Sequence, residues 1–140
     1  MFNPCTDLLP RIKPYLNRKW QAEWDEVYRY PGSKLYPIKP EVNTLSPHHR
    51  SRKEEVILTR LRLGHTRLTH AHLMERQPAP LCNYCDEPVT VKHLLIDCLY
   101  LDQYRQQYYS QIDSMSDLFK HISPSNIINY LKTIGAYHRL

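Results

Sequence analysis

Apolar residues return every three or four positions over residues 11–29, where Ile12, Tyr15, Leu16, Trp20, Trp24, Val27 and Tyr28 recur at helical spacing. Proline is tolerated in the first turn of a helix, so the regular part is expected to start near Pro14. Trp20 and Trp24 lie one turn apart and are expected to pack in a core, because an indole buries a large apolar area. The period is lost over 30–50, where Pro31, Gly32, Pro37, Pro40 and Pro47 interrupt it. This segment predicts a turn, a short extended piece at Lys34–Ile38 and an exposed loop, with Leu35 and Ile38 docked on the helical core.

Helical spacing resumes over 51–63. Ser51 is placed as an N-cap with Glu54 as its capping-box partner, and Ile57 and Leu61 face one way. Gly64 suits a left-handed C-cap. Thr66 can then cap a third helix over 67–75, with Leu68 and Leu73 inward. Pro78 and Pro80 end it. Thr90 can cap a short helix from Val91 to about Asp97. Three further helical pieces are read at about 100–112, 115–121 and 125–134, the last opened by Ser123–Pro124 and closed by Gly135. Tyr100, Tyr104 and Tyr108 form a stripe at four-residue spacing, read as packing.

Composition sharpens this picture in two places. Eleven prolines against three glycines favour short helices with rigid joints and leave no material for a phosphate-binding loop. The net charge of +5 is unevenly placed: residues 48–76 hold seven lysines and arginines against three glutamates. That segment also holds His48, His49, His65, His70 and His72. A local basic excess is the footprint of a polyanion binder, with a solvated helix face as the plainer alternative. No apolar run reaches the roughly 20 residues that span a membrane. The N-terminus lacks the layout of a signal peptide. The protein is expected to be intracellular, with no membrane partner and no small-molecule substrate.

The chemistry concentrates in Cys82, Cys85, His93 and Cys98, spaced C-x2-C-x7-H-x4-C. Three thiolates and an imidazole are the donor set of a tetrahedral structural zinc site. Three clustered cysteines and a lone Cys5 do not read as a secreted disulfide scaffold. A closed set of four ligands leaves no open coordination position, so Zn2+ is expected to be structural. A zinc deaminase would need H-x-E ahead of P-C-x-x-C. Here His72 and Glu75 are three apart, and Leu81 separates Pro80 from Cys82. No enzyme is expected, because His65, His70 and His72 have no convincing nucleophile or open metal beside them.

Two stretches carry a resemblance. RKEEVILTRLRLGHTRLTHAHLM (52–74) followed by PLCNYCDEPVTVKHLLIDC (80–98) resembles the C-terminal end of non-LTR (LINE-type) retrotransposon polyproteins of the Jockey and I groups. TDLLPRIKPYLNRKWQAEWDE (6–26) resembles the segment that follows the RNase H domain there, and KLYPIKP (34–40) resembles its connector. The likeness covers about 4–105, with 106–140 as a variable tail. It implies a non-catalytic, zinc-binding, nucleic-acid-binding module that holds element RNA or target DNA during target-primed reverse transcription. It implies Cys82, Cys85, His93 and Cys98 as metal ligands, and nuclear residence. Arg60, Arg62, Gly64, His65, Thr66 and Arg67 match the RLRLGHTR run, whose role the likeness leaves open. No Y-x-D-D and no RNase H carboxylate set occurs, so a fragment, a degenerate copy or a standalone descendant is expected.

The resulting expectation is a mainly α, small helical domain with a short extended connector and a Cys-Cys-His-Cys zinc-knuckle insert. Its parts are 1–30, an N-terminal helix following an absent RNase H domain; 31–50, a Pro-rich connector; 51–80, the basic RLRLGHTR segment; 81–98, the knuckle; and 99–140, a helical tail. Arg60, Arg62, Arg67 and Arg76 are assigned to phosphate and Tyr84 to base stacking on RNA or single-stranded DNA. The alternative is a zinc-stapled docking module for the reverse transcriptase or RNase H domains of a parent polyprotein. Its arginines would then bond buried carbonyls or Glu54 and Glu55.

Overall fold

The computed structural model describes residues 4–30, 32–33, 35–42 and 51–140. The chain divides into two compact units, Met1–His48 and His49–Leu140. The loop expected across 43–50, with His48 and His49, and the side chain of Cys5 lie outside the described residues. No helix among the described residues is long and apolar enough to cross a membrane.

In the first unit, α1 runs Pro4–Val27 with Pro10 and Pro14 inside it. The helix therefore starts earlier than Pro14. The two prolines are one turn apart and exposed, so their missing N–H donors fall on one face that water can reach. The expected extended piece at Lys34–Ile38 is instead a turn over 35–38, closed by the Lys39 N–H on the Leu35 carbonyl at 2.9 Å. Pro37 has no N–H to give a strand ladder, which favours the turn. The connector folds back on α1: Trp24 Nε1 donates to the Lys39 carbonyl at 2.9 Å, and Gln21 Nε2 donates to the Pro40 carbonyl at 2.7 Å. Leu35 and Ile38 are half-buried, and Tyr36 packs its ring 5.3 Å from Tyr28. The indoles divide. Trp24 is half-buried, whereas Trp20 is 61% exposed in line with Leu8, Ile12 and Leu16. One helix and one turn cover only one side of each other, and that stripe is the other side.

In the second unit, α2 (Arg52–Leu63) starts where Ser51 accepts from the Glu54 N–H. The Glu54 carboxylate pairs with Lys132 at 3.4 Å. Ile57, Leu58 and Leu61 are the buried face. Gly64 ends the helix at φ 67°, the left-handed conformation that a residue without Cβ adopts most cheaply. Thr66 then caps α3 (Arg67–Glu75) in a reciprocal box with Thr69. Leu68 packs on the core as expected, but Leu73 is exposed. Helix α4 is short (Asp102–Arg105); α5 is Met115–His121; α6 is Pro124–Thr133, capped by Ser123 with Pro124 at its start.

These elements bury one hydrophobic core. Ile57, Leu58 and Leu61 meet Val91, Leu94 and Leu95 of the knuckle helix, Leu118 of α5, and Ile127, Ile128, Tyr130 and Leu131 of α6. Ala136, Tyr137 and Leu140 close it. The fold is mainly helical, as the sequence indicates, and the segment 99–140 supplies much of the interior that positions the knuckle.

Candidate metal centre

The centre is built from a turn and a helix. Leu81 and Pro88 form an antiparallel bridge, and the Cys82 N–H donates to the Glu87 carbonyl at 2.8 Å. Inside this loop the Asp86 N–H donates back to the Cys82 carbonyl at 3.0 Å. Asp86 sits at φ 54°, a left-handed position that aspartate tolerates better than most residues. The C-x2-C segment is thus a tight turn with both thiols on one side.

The helix follows at once. Thr90 Oγ1 accepts from the His93 N–H at 2.9 Å, the cap expected from sequence. Over His93–Asp97 the helix widens, and the Cys98 N–H donates to the carbonyl five residues back, His93, at 2.9 Å. The Lys92–Asp97 ion pair, 3.2 Å, spans the same five-residue interval. An α-helix turns about 100° per residue and would set positions 93 and 98 roughly 140° apart. The wider turn closes most of that angle, a local geometry often found at functional sites.

As a result, the four ligand atoms lie within 4.8 Å of one another. Cys82 Sγ and Cys98 Sγ are 3.9 Å apart, Cys85 Sγ and Cys98 Sγ 3.9 Å, and Cys85 Sγ and His93 Nε2 3.4 Å. A disulfide needs about 2.05 Å, so none of these is one. Metal–sulfur and metal–nitrogen bonds of about 2.3 and 2.0 Å give tetrahedral edges of about 3.8 and 3.5 Å, which these separations match. His93 and Cys98 are buried, and Cys82 and Cys85 are half-buried. The four residues lie close enough to hold a metal ion. Among the described residues no other group of three or more such side chains does.

Electrostatics favours a cation there. The Tyr84 N–H beside Cys82 lowers that thiol to about 6. Desolvation, with the neighbouring thiols, pushes Cys85 up to about 12. The pocket accepts one negative charge readily and resists a second; a dication removes that resistance.

Three residues that sequence reasoning missed surround the helix. Arg105 Nη2 donates to the Cys98 carbonyl at 2.7 Å, Tyr109 OH to the Leu95 carbonyl at 2.9 Å, and Tyr130 OH to the Leu94 carbonyl at 2.8 Å. All three donors are buried. Burial pushes both phenols well above their ordinary range, so they stay protonated donors. No spacing rule links them to the ligands.

Two of the arginines assigned to nucleic acid make contacts within their own unit. Arg60 donates to the Leu140 carbonyl, and Arg62 lies over the Phe119 ring at 5.4 Å. Tyr84 is exposed, and its ring stacks face to face on Tyr100 with centroids 3.4 Å apart and planes 4° apart. Arg67 and Arg76 are exposed on α3 and at its C-cap. The tyrosine stripe is split: Tyr100 joins Tyr84, whereas Tyr108 packs edge-on to Tyr130. No family model matches the chain, and no curated protein or solved structure matches it either.

Proposed function

We propose that this chain is a non-catalytic module, closed by a structural Zn2+, that binds single-stranded nucleic acid. We further propose that it descends from the C-terminal region of a non-LTR retrotransposon polyprotein. The observation that carries the zinc reading is the Cys82–Cys85–His93–Cys98 cluster, whose four ligand atoms lie within 4.8 Å. Three thiolates and an imidazole select zinc over hard cations, and a full set of four leaves no position for a reacting water. What supports nucleic acid is charge and aromatic surface. Arg67 and Arg76 are exposed on the basic segment, and the Tyr84–Tyr100 pair offers one outward ring face for a base. The work of such a module is to hold element RNA or target DNA, in the nucleus, while a polymerase extends a primer.

The test is binding of single-stranded RNA to the zinc-loaded chain across salt. Each phosphate contact on a single strand contributes about 0.7 to the slope of log K against log salt. Replacing Arg67 and Arg76 together by Ala should flatten the slope by roughly 1.4 and weaken all sequences alike. A slope unchanged by both substitutions sinks the assignment.

A second reading has its own support. The Arg60 bond to the Leu140 carbonyl and the Arg62–Phe119 contact engage two of the assigned cations with the chain itself, although Arg60 stays exposed. That is what a zinc-stapled docking module would do. A folded, zinc-loaded chain with no RNA or DNA affinity at low salt would favour it.

A further inference from the structure

The last carbonyls of any helix have no partner within it. At the knuckle these groups are buried, because Leu94, Leu95 and Cys98 are all core residues. Three side chains meet them: Tyr130 from α6, Tyr109 from the segment after α4, and Arg105 from α4 itself, at 2.8, 2.9 and 2.7 Å. Each donor reaches a carbonyl on the stretch that joins His93 to Cys98. Arg105 is further fixed by Asp102 at 3.3 Å. The rings of Tyr109 and Tyr130 brace each other edge-to-face at 5.5 Å.

We propose that Arg105, Tyr109 and Tyr130 are positioning residues of the metal centre. They hold the widened turn that brings His93 and Cys98 onto one ion, and so they set the affinity and the geometry of the site. If the turn tightened to an ordinary α-helix, the two ligands would swing apart and the three carbonyls would lose their register with the donors. The arrangement also places a buried guanidinium beside a centre that carries one net negative charge when three thiolates hold a dication. This inference rests on the metal reading and is independent of the nucleic-acid reading.

The test uses the full chain with Co2+ as the probe. Its visible bands report ligand number and distortion, and Zn2+ competition reports affinity. Tyr109→Phe, Tyr130→Phe and the double variant keep the rings and delete only the hydroxyls. Outer groups that orient metal ligands typically carry 10–100-fold in affinity. Each single variant should weaken Co2+ by about 10-fold and the pair by up to about 100-fold, with a changed band envelope. Leu118→Ala, which thins the same core without touching the turn carbonyls, should lower stability and leave the bands unchanged. Should Tyr130→Phe fail to fold, Tyr109→Phe alone decides. Wild-type affinity and bands in the double variant overturn the inference, as does an equal loss and band change in Leu118→Ala. A wild-type chain that takes up no Co2+ overturns the metal reading as well, and so separates the two failures.

Discussion

Cys82 and Cys85 belong to one turn yet hold their protons very differently. The Tyr84 N–H holds Cys82 near 6, while desolvation pushes Cys85 up to about 12. Metal uptake near neutral pH must therefore expel the Cys85 proton, whereas Cys82 is already a thiolate. Below about 6 Cys82 also binds a proton, so every ion bound must expel one more. Metal affinity should fall as pH drops, and fall more steeply below about 6, where Cys82 too must be stripped of a proton. Competition against a chelator across this range checks it; a constant slope through pH 6 would contradict the assignment. Cys98→Ser should abolish stoichiometric metal in native mass spectrometry. The clustering of these four residues was legible in the sequence because the C-x2-C turn and the helical H-x4-C pair are both local. Arg105, Tyr109 and Tyr130 were not, because their partners are carbonyls, which every residue has and no spacing marks.

Caps divide what could be read of the elements from what could not. Ser51, Thr66, Thr90 and Ser123 each accept from the N–H three residues on, and each is recognisable from its neighbours alone. Thr90→Ala should cost about 1 kcal/mol in denaturant unfolding. Because that cap ends on the His93 N–H, metal affinity should fall with it. Gly64→Ala tests backbone alone: an added Cβ meets nothing within 4 Å, but φ is 67°. It should destabilise by about 1 kcal/mol with an unaltered metal spectrum. Where reading failed, a non-local contact had decided. The turn at 35–38 forms with its Pro37 exposed while Trp24 and Gln21 of α1 hold the residues after it. The five-residue turn at the knuckle depends on donors from α4 and α6, so periodicity predicted an ordinary helix there.

At the scale of the molecule, the sequence divides residues 51–140 into a basic segment, a knuckle and a tail, and packing joins them. Leu94 and Leu95 of the knuckle share a core with Ile57 and Leu61 on one side and Ile127 and Leu131 on the other. Chelation should therefore not erase the helices. Hydrogen exchange should speed up sharply over 81–98 and more modestly in α4 and α6, while most of the far-ultraviolet helical signal remains. Collapse of the whole signal would mean that the metal dominates the core. The mainly α class was legible because helical spacing recurs on both sides of the Pro-rich stretch at 30–50, whereas the sharing of one core by three segments is a long-range fact that no window of sequence contains. One consequence concerns the order in which the chain is made. A ribosome releases all four metal ligands before it releases Tyr109 and Tyr130. A growing chain thus offers an ion its donors first and their correct arrangement only later. Secure metal capture then waits until Tyr130 has emerged, and a product cut short after Cys98 would bear the complete motif yet bind an ion loosely.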